Sequence, residues 1–212
     1  MKNLKKLIWR FLRRIGISGY IAMMTNSHLT EMGWFQTHAK QKSVDKNGNP
    51  IPWFNYSFLY FIEPRLKKEF SVFEYGCGNS SLWFAARVKS ILSIEHNKTW
   101  FETISQSLPS NAKVYFKEES DYAKSINEFA TFFDIIIIDG IDRNNCIVFA
   151  MNKLKEDGVV IFDNLERDDY KDAINNVLKS GYKLIEFKGI ASSVSTSTIT
   201  GILYKENNCL GI

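Results

Sequence analysis

The stretch Phe73-Glu74-Tyr75-Gly76-Cys77-Gly78-Asn79-Ser80-Ser81 joins an apolar entry, a glycine pair and a helix start in nine residues. Ser71 to Tyr75 is predicted to form a short buried strand, and the two glycines permit a tight turn whose backbone can approach a ligand. Asn79 or Ser80 is expected to cap a helix through Leu82-Trp83-Phe84-Ala85-Ala86. The same pattern also makes ordinary strand-to-helix turns; Glu74, two residues before the first glycine, sharpens the reading as a cofactor loop. Dinucleotide folds want a small residue, usually Gly or Ala, three positions after the second glycine, and Ser81 fills that place poorly.

Downstream, Ser90-Ile91-Leu92-Ser93-Ile94-Glu95 reads as a second buried strand ending on an acid. An acid about twenty positions past the glycine loop can hold both ribose hydroxyls of a nucleoside; the alternative is a solvated strand-end glutamate. Lys113 to Phe116 is a third strand, and the adenine is expected near the Glu118 to Tyr122 loop. Phe133 to Ile138 is apolar on both faces and ends at Asp139-Gly140, as a central strand of a parallel sheet does. A helix from Cys146 to Leu154, a strand from Gly158 to Asn164, a helix from Asp168 to Ser180 and strands at Lys183 to Lys188 and Thr198 to Tyr204 complete the alternation. The order predicts an α/β, doubly wound sheet of seven strands with an antiparallel final hairpin.

Upstream, Leu4, Leu7, Ile8, Phe11, Leu12 and Ile15 share one helical face, with Lys5, Lys6, Arg10, Arg13 and Arg14 opposite. Such a basic amphipathic helix can pack on its own domain, pair with a second copy in a homodimer, or lie on an anionic membrane surface. A second helix is expected from Ile21 to Met32, then a polar loop with the turn-rich Asp45-Lys46-Asn47-Gly48-Asn49-Pro50. The aromatic run from Ile51 to Ser57 either fills the core or lines a pocket, and its helix should reach about Lys68 unless Pro64 divides it. The expected organisation is an N-terminal helical extension over 1–50, a catalytic domain over 51–206 and a tail over 207–212.

At 212 residues the chain can bury one substantial core, and 45% apolar with 24% charged residues is ordinary for a globular protein. The net charge of +4 sits largely in the first fourteen residues, which argues against a nucleic-acid partner. Cys77, Cys146 and Cys209 suit a reducing compartment, and His28, His38 and His96 offer no zinc spacing. With no apolar run of membrane-spanning length, the expected location is the cytoplasm, with the inner membrane surface as an option for the basic helix.

The order Glu-x-Gly-x-Gly-x-Ser, with the strands that follow to about Tyr204, resembles class I S-adenosylmethionine-dependent methyltransferases, which implies a Rossmann-like sheet. Glu74, Gly76, Gly78 and Glu95 match the family's cofactor positions, which implies that the glycine backbone faces the methionine part and Glu95 the ribose; Asn79 and Ser80 are the further cofactor-binding candidates. Asp139-Gly140-Ile141-Asp142-Arg143 followed by Phe162-Asp163-Asn164 looks like the small FkbM-like or uncharacterised bacterial members. Asp139, Asp163 and Asn164 also resemble the divalent-metal ligands of catechol-type O-methyltransferases, which implies Mg²⁺; structural capping or cofactor positioning is the other reading. Asp142 stands where that group has its lysine base, so Asp139, Asp142 and His96 are the base candidates. The implied activity is methyl transfer to oxygen, less readily nitrogen, of a small-molecule or glycan acceptor. Its rivals are a nicotinamide-dependent oxidoreductase and a non-catalytic protein bound peripherally to membrane.

Overall fold

In the computed structural model, which describes residues 2–192 and 194–212 and, for residues 2–4, only the backbone, the apolar runs become strands of one sheet. The side chains of Lys2 and Leu4, and Ser193 in the serine-rich connection, lie outside the described residues. In chain order the elements are α1 (Lys2–Arg14), α2 (Ile17–Thr25), α3 (His28–Glu31), α4 (Trp34–Lys40), α5 (Tyr56–Ile62), β1 (Ser71–Tyr75), α6 (Asn79–Ala85), β2 (Ser90–Glu95), α7 (Lys98–Ser105) and β3 (Ala112–Phe116). Then follow α8 (Glu119–Tyr122), β4 (Phe133–Ile138), α9 (Arg143–Met151), β5 (Leu154–Asp163), α10 (Lys171–Lys179), β6 (Lys183–Ile190) and β7 (Ser197–Tyr204).

The seven strands lie in the order β3-β2-β1-β4-β5-β7-β6. β1 to β5 are mutually parallel, and β7 runs antiparallel between β5 and β6. The final hairpin is therefore present, with its second strand inserted beside β5. Side-chain alternation sends Ile135, Ile137, Val159 and Ile161 into one apolar layer with Phe54, Phe58, Trp83 and Phe84. Ile136, Ile138, Val160 and Phe162 face the opposite layer, with Tyr75, Tyr122, Cys146 and Ile174. A strand buried on both faces needs apolar residues at every position, which is why β4 reads as an unbroken run.

The strand order reverses between β1 and β4, so the crevice at their carboxyl ends is where such sheets bind ligands. The ends of β1, β2, β4 and β5 share that edge and deliver Gly76, Glu95, Asp139 and Asp163 to it.

Several expected boundaries move. The helix expected from Ile21 to Met32 is broken at Asn26, where Ser27 caps the short α3 by accepting from Thr30 N. α5 ends at Ile62, and Pro64 sits in a 3-10 turn over Glu63–Arg65. Asp168–Tyr170 likewise forms a 3-10 turn ahead of α10. The boundary at residue 50 is not a packing boundary, because Leu29, Met32 and Trp34 already pack on the domain core. The expected tail is also part of that core: Cys209 and Leu210 are buried, and Cys209 N donates to Asp157 O at 2.7 Å.

Candidate active site

Glu74 sits at the floor of the glycine loop, fully enclosed by protein. Its carboxylate accepts from the hydroxyls of Ser80 and Ser81 and, at 2.9 Å, from Ser93 Oγ. Burial pushes its pKa up, the three hydroxyls pull it back and neighbouring Glu95 raises it again, which leaves it at about 7. A folded pKa above the ordinary value contributes stability that is complete below 4.5 and lost as pH rises through about 7. That loss should amount to about 3 kcal/mol. Denaturant unfolding of Glu74→Gln should show a flatter decline than the native chain across this window, and equal slopes would contradict the assignment.

The loop is built differently from the expectation. Gly78, not Asn79 or Ser80, is the N-cap of α6. Ser81 Oγ accepts from Gly78 N at 3.1 Å while donating to Glu74, so a serine at this position ties the turn to the acid beneath it. Asn79, in the first turn of α6, reaches away from the loop to donate to Ser43 O at 2.5 Å. Only Gly76 of the pair needs glycine's freedom: its φ is +98°, and its Cα faces Gly140 at the end of β4. Trp100 Nε1 donates to Cys77 O at 2.7 Å and steadies the loop from α7.

Glu95 ends β2 with Oε1 accepting from His96 N at 2.9 Å and Asn97 N at 2.8 Å. Among the described residues its other oxygen accepts only from the Cys77 thiol, at 3.6 Å. That thiol is held protonated by burial and by Glu95 and Glu74. His96 Nδ1 lies 3.0 Å from Glu95 Oε1 but lacks hydrogen-bond alignment. Glu74, Gly76, Cys77, Ser80, Glu95, His96, Asp139 and Gly140 together border a cavity of about 270 Å³. Tyr122 from α8 presses its buried hydroxyl against Gly140, where any Cβ would overlap it, and that hydroxyl has no partner among the described residues. An unpaired buried donor beside this cavity, a carboxyl at its floor and a side-chain-free turn fit a polar, cationic nucleoside ligand.

A second cavity of about 480 Å³ lies beside the first, bordered by Trp53, Asp139, Asp163, Asn164, Glu166, Arg167 and Thr198. Trp53 is 56% exposed and faces this space, whereas Phe54 and Tyr56 are buried, so the aromatic run serves both core and pocket. Asp139 keeps 25% of its side chain open to the clefts. Burial raises its pKa, Arg143 opposes that shift, and Glu74 adds to it. Asp163 is raised by burial and then by the charge of Asp139, while Thr200 Oγ1, donating at 2.5 Å, opposes the rise.

Arg143, the first residue of α9, is a functional side chain that sequence reasoning missed. Only 7% exposed, it donates to Gly140 O at 2.9 Å, Asp139 O at 3.0 Å, Asp139 Oδ1 at 3.1 Å and Asp163 O at 2.5 Å. One planar guanidinium thus clamps the carboxyl ends of β4 and β5. Its position four residues after Asp139, at a helix start, was the available signal.

Asp139, Asp163 and Asn164 border one cavity, as the magnesium expectation requires, but one oxygen of each carboxylate is already engaged. Arg143 already pairs with Asp139, Thr200 occupies one oxygen of Asp163, and no group of three or more His, Cys, Asp or Glu among the described residues is placed to share a metal. The cation bonded to these strand ends is Arg143, Arg167 borders the same cavity, and Mg²⁺ has no support from the site. Asp142 stands apart: it is exposed, borders neither cavity, adopts a left-handed φ of +49°, and accepts from Asn145 Nδ2 at 2.8 Å.

No family model matches the chain, and no curated protein does. Many solved structures do. Precorrin-6y C5,15-methyltransferase from Geobacter metallireducens superposes with a TM-score of 0.58 at 14% identity, over 70% of this chain and 87% of that one. SMU.1697c of Streptococcus mutans, solved with S-adenosylhomocysteine, gives 0.52 at 13% identity, over 68% and 94%. Spermidine synthase from Thermotoga maritima gives 0.51 at 20% identity, over 70% of this chain and 56% of that one. Likeness at these identities shows the fold and leaves the reaction to the site. This chain has the seven-stranded Rossmann-like methyltransferase fold, its last strand running antiparallel between β5 and β6.

Proposed function

We propose that the chain is an S-adenosylmethionine-dependent methyltransferase acting on a hydroxyl oxygen of a small-molecule or glycan acceptor. The observation that carries this reading is the place of Asp139, the one residue among those described that borders both cavities. The first cavity takes the cofactor: Glu74 offers a buried carboxyl whose ionised form a cationic group would stabilise, the Gly76 backbone lies open beside it, and Glu95 has a freer oxygen for ribose hydroxyls. S-adenosylmethionine supplies an already activated methyl, so the residues' task is alignment and removal of the acceptor's proton. The second cavity takes the acceptor, with Trp53 as an apolar platform for a ring.

At the junction, a hydroxyl must lose its proton as it attacks, whereas a neutral amine need not, so a carboxylate there suits oxygen. The raised pKa of Asp139 makes it a stronger base than an exposed aspartate, and Arg143 holds it in place. Incubation with isotopically labelled S-adenosylmethionine and a panel of phenols and glycosides should give label as an O-methyl product. Transfer only to amines, or only to nucleic acid, would overturn the choice of acceptor.

A further inference from the structure

Nine residues of α2 contribute no buried side chain, and α1 lies against it with its own apolar residues uncovered. Leu7, Phe11 and Tyr20 are 60%, 61% and 64% exposed, and Ile8, Ile15 and Met23 are also open. Monomeric soluble surfaces rarely present so many large apolar side chains together. The same arm carries Lys5, Lys6, Arg10, Arg13 and Arg14, none of them ion-paired among the described residues, and the first acid in the chain is Glu31. The arm is firmly rooted: Ser27 and Thr30 hydroxyls donate to Met23 O at 2.5 and 2.9 Å, and Leu29, Met32 and Trp34 pack on the core.

We propose that α1 and α2 form a docking arm for an anionic lipid bilayer, lying in its interface. Charge selects this occupant over a second copy of the chain. Pairing two arms through their apolar faces would set two basic helices side by side with no acid on either to offset them, whereas an anionic bilayer supplies both an apolar layer and a negative rim. Length selects lying over spanning: α1 has 13 residues, about 20 Å of helix, and no described helix is long and apolar enough to cross a membrane.

The test is co-sedimentation of the full chain with vesicles of phosphatidylcholine, with and without phosphatidylserine. Binding should be about tenfold or more tighter with phosphatidylserine and should weaken as salt rises. The double variant Arg10→Glu, Arg13→Glu should lose most of that preference, and Leu7→Ser, Phe11→Ser should weaken binding to both vesicles. All these positions are exposed, so circular dichroism and thermal unfolding should match the native chain. Failure to bind phosphatidylserine vesicles at low salt would overturn the proposal. So would concentration-dependent dimerisation that Phe11→Ser abolishes, which would assign the arm to a second copy. Neither result bears on cofactor binding, which the arm does not touch.

Discussion

Arg143→Ala should destabilise the fold by about 3–5 kcal/mol, because it leaves the Asp139 carboxylate beside Asp163 with no paired cation and strips hydrogen bonds from Asp139, Gly140 and Asp163. For a chain of this size that is a fall of roughly 10 °C in Tm. The loss should depend on pH. Both aspartates have folded pKa values above their ordinary value, so each contributes stability present at acid pH and lost as pH rises through its folded value. Removing the guanidinium deepens that loss, and the deficit of the variant should be larger in mildly alkaline than in acid buffer. Arg143→Lys should fall between, since an ammonium keeps the charge but cannot span both strand ends. A deficit under about 1 kcal/mol, the range of an ordinary surface pair, would show that the clamp does not hold this edge.

Asp139→Asn should lower methyl transfer by about 10²–10⁴-fold, the usual contribution of a positioned base. An amide oxygen can still accept from Arg143, and the Asp163 carboxyl remains beside the guanidinium and is relieved of its repulsion from Asp139, so stability and affinity for S-adenosylhomocysteine should change little. Asp142→Asn is the contrast. That residue is exposed and bonded to Asn145 outside both cavities, and its replacement should alter the rate less than about twofold. Near-native turnover by Asp139→Asn would remove the base assignment, and a large loss in Asp142→Asn would move it there. Turnover should persist in EDTA, because Arg143 supplies the cation bonded to Asp139 and a carboxylate base needs no metal.

What was legible in the sequence follows from how local its cause is. β1, β2 and β4 occupy the residues expected of them, because each is a run buried on both faces and ended by a glycine or an acid. β5 begins at Leu154, four residues before its expected start, since Lys155-Glu156-Asp157 looks like a loop. Pairing of Leu154 with Phe133 across a register shift recruits it, and no local pattern encodes that. α9 starts at Arg143 for a comparable reason: its polar first turn hides a guanidinium folded back onto the strand ends.

The same division holds in the site. Glu74, Gly76, Glu95, Asp139 and Asp163 were readable because strand ends in a parallel sheet must meet at one edge. Thr200 was not, because it reaches Asp163 only through the insertion of β7 beside β5. Ser81 looked like a poor third glycine, yet its hydroxyl bonds both the turn and the acid below. Tyr122 was seen as part of a loop near the cofactor, but its packing against Gly140 required the tertiary fold.

The claim on which the rest depends is that the cavity between Gly76, Glu74 and Glu95 holds an S-adenosyl nucleoside. Titration calorimetry of the full chain with S-adenosylhomocysteine measures this directly. A Kd in the micromolar range is expected, with Glu95→Ala weaker by about 1–3 kcal/mol, the cost of losing hydrogen bonds to a charged group. Equal affinity in that variant, or tighter binding of NAD than of S-adenosylhomocysteine, would contradict it.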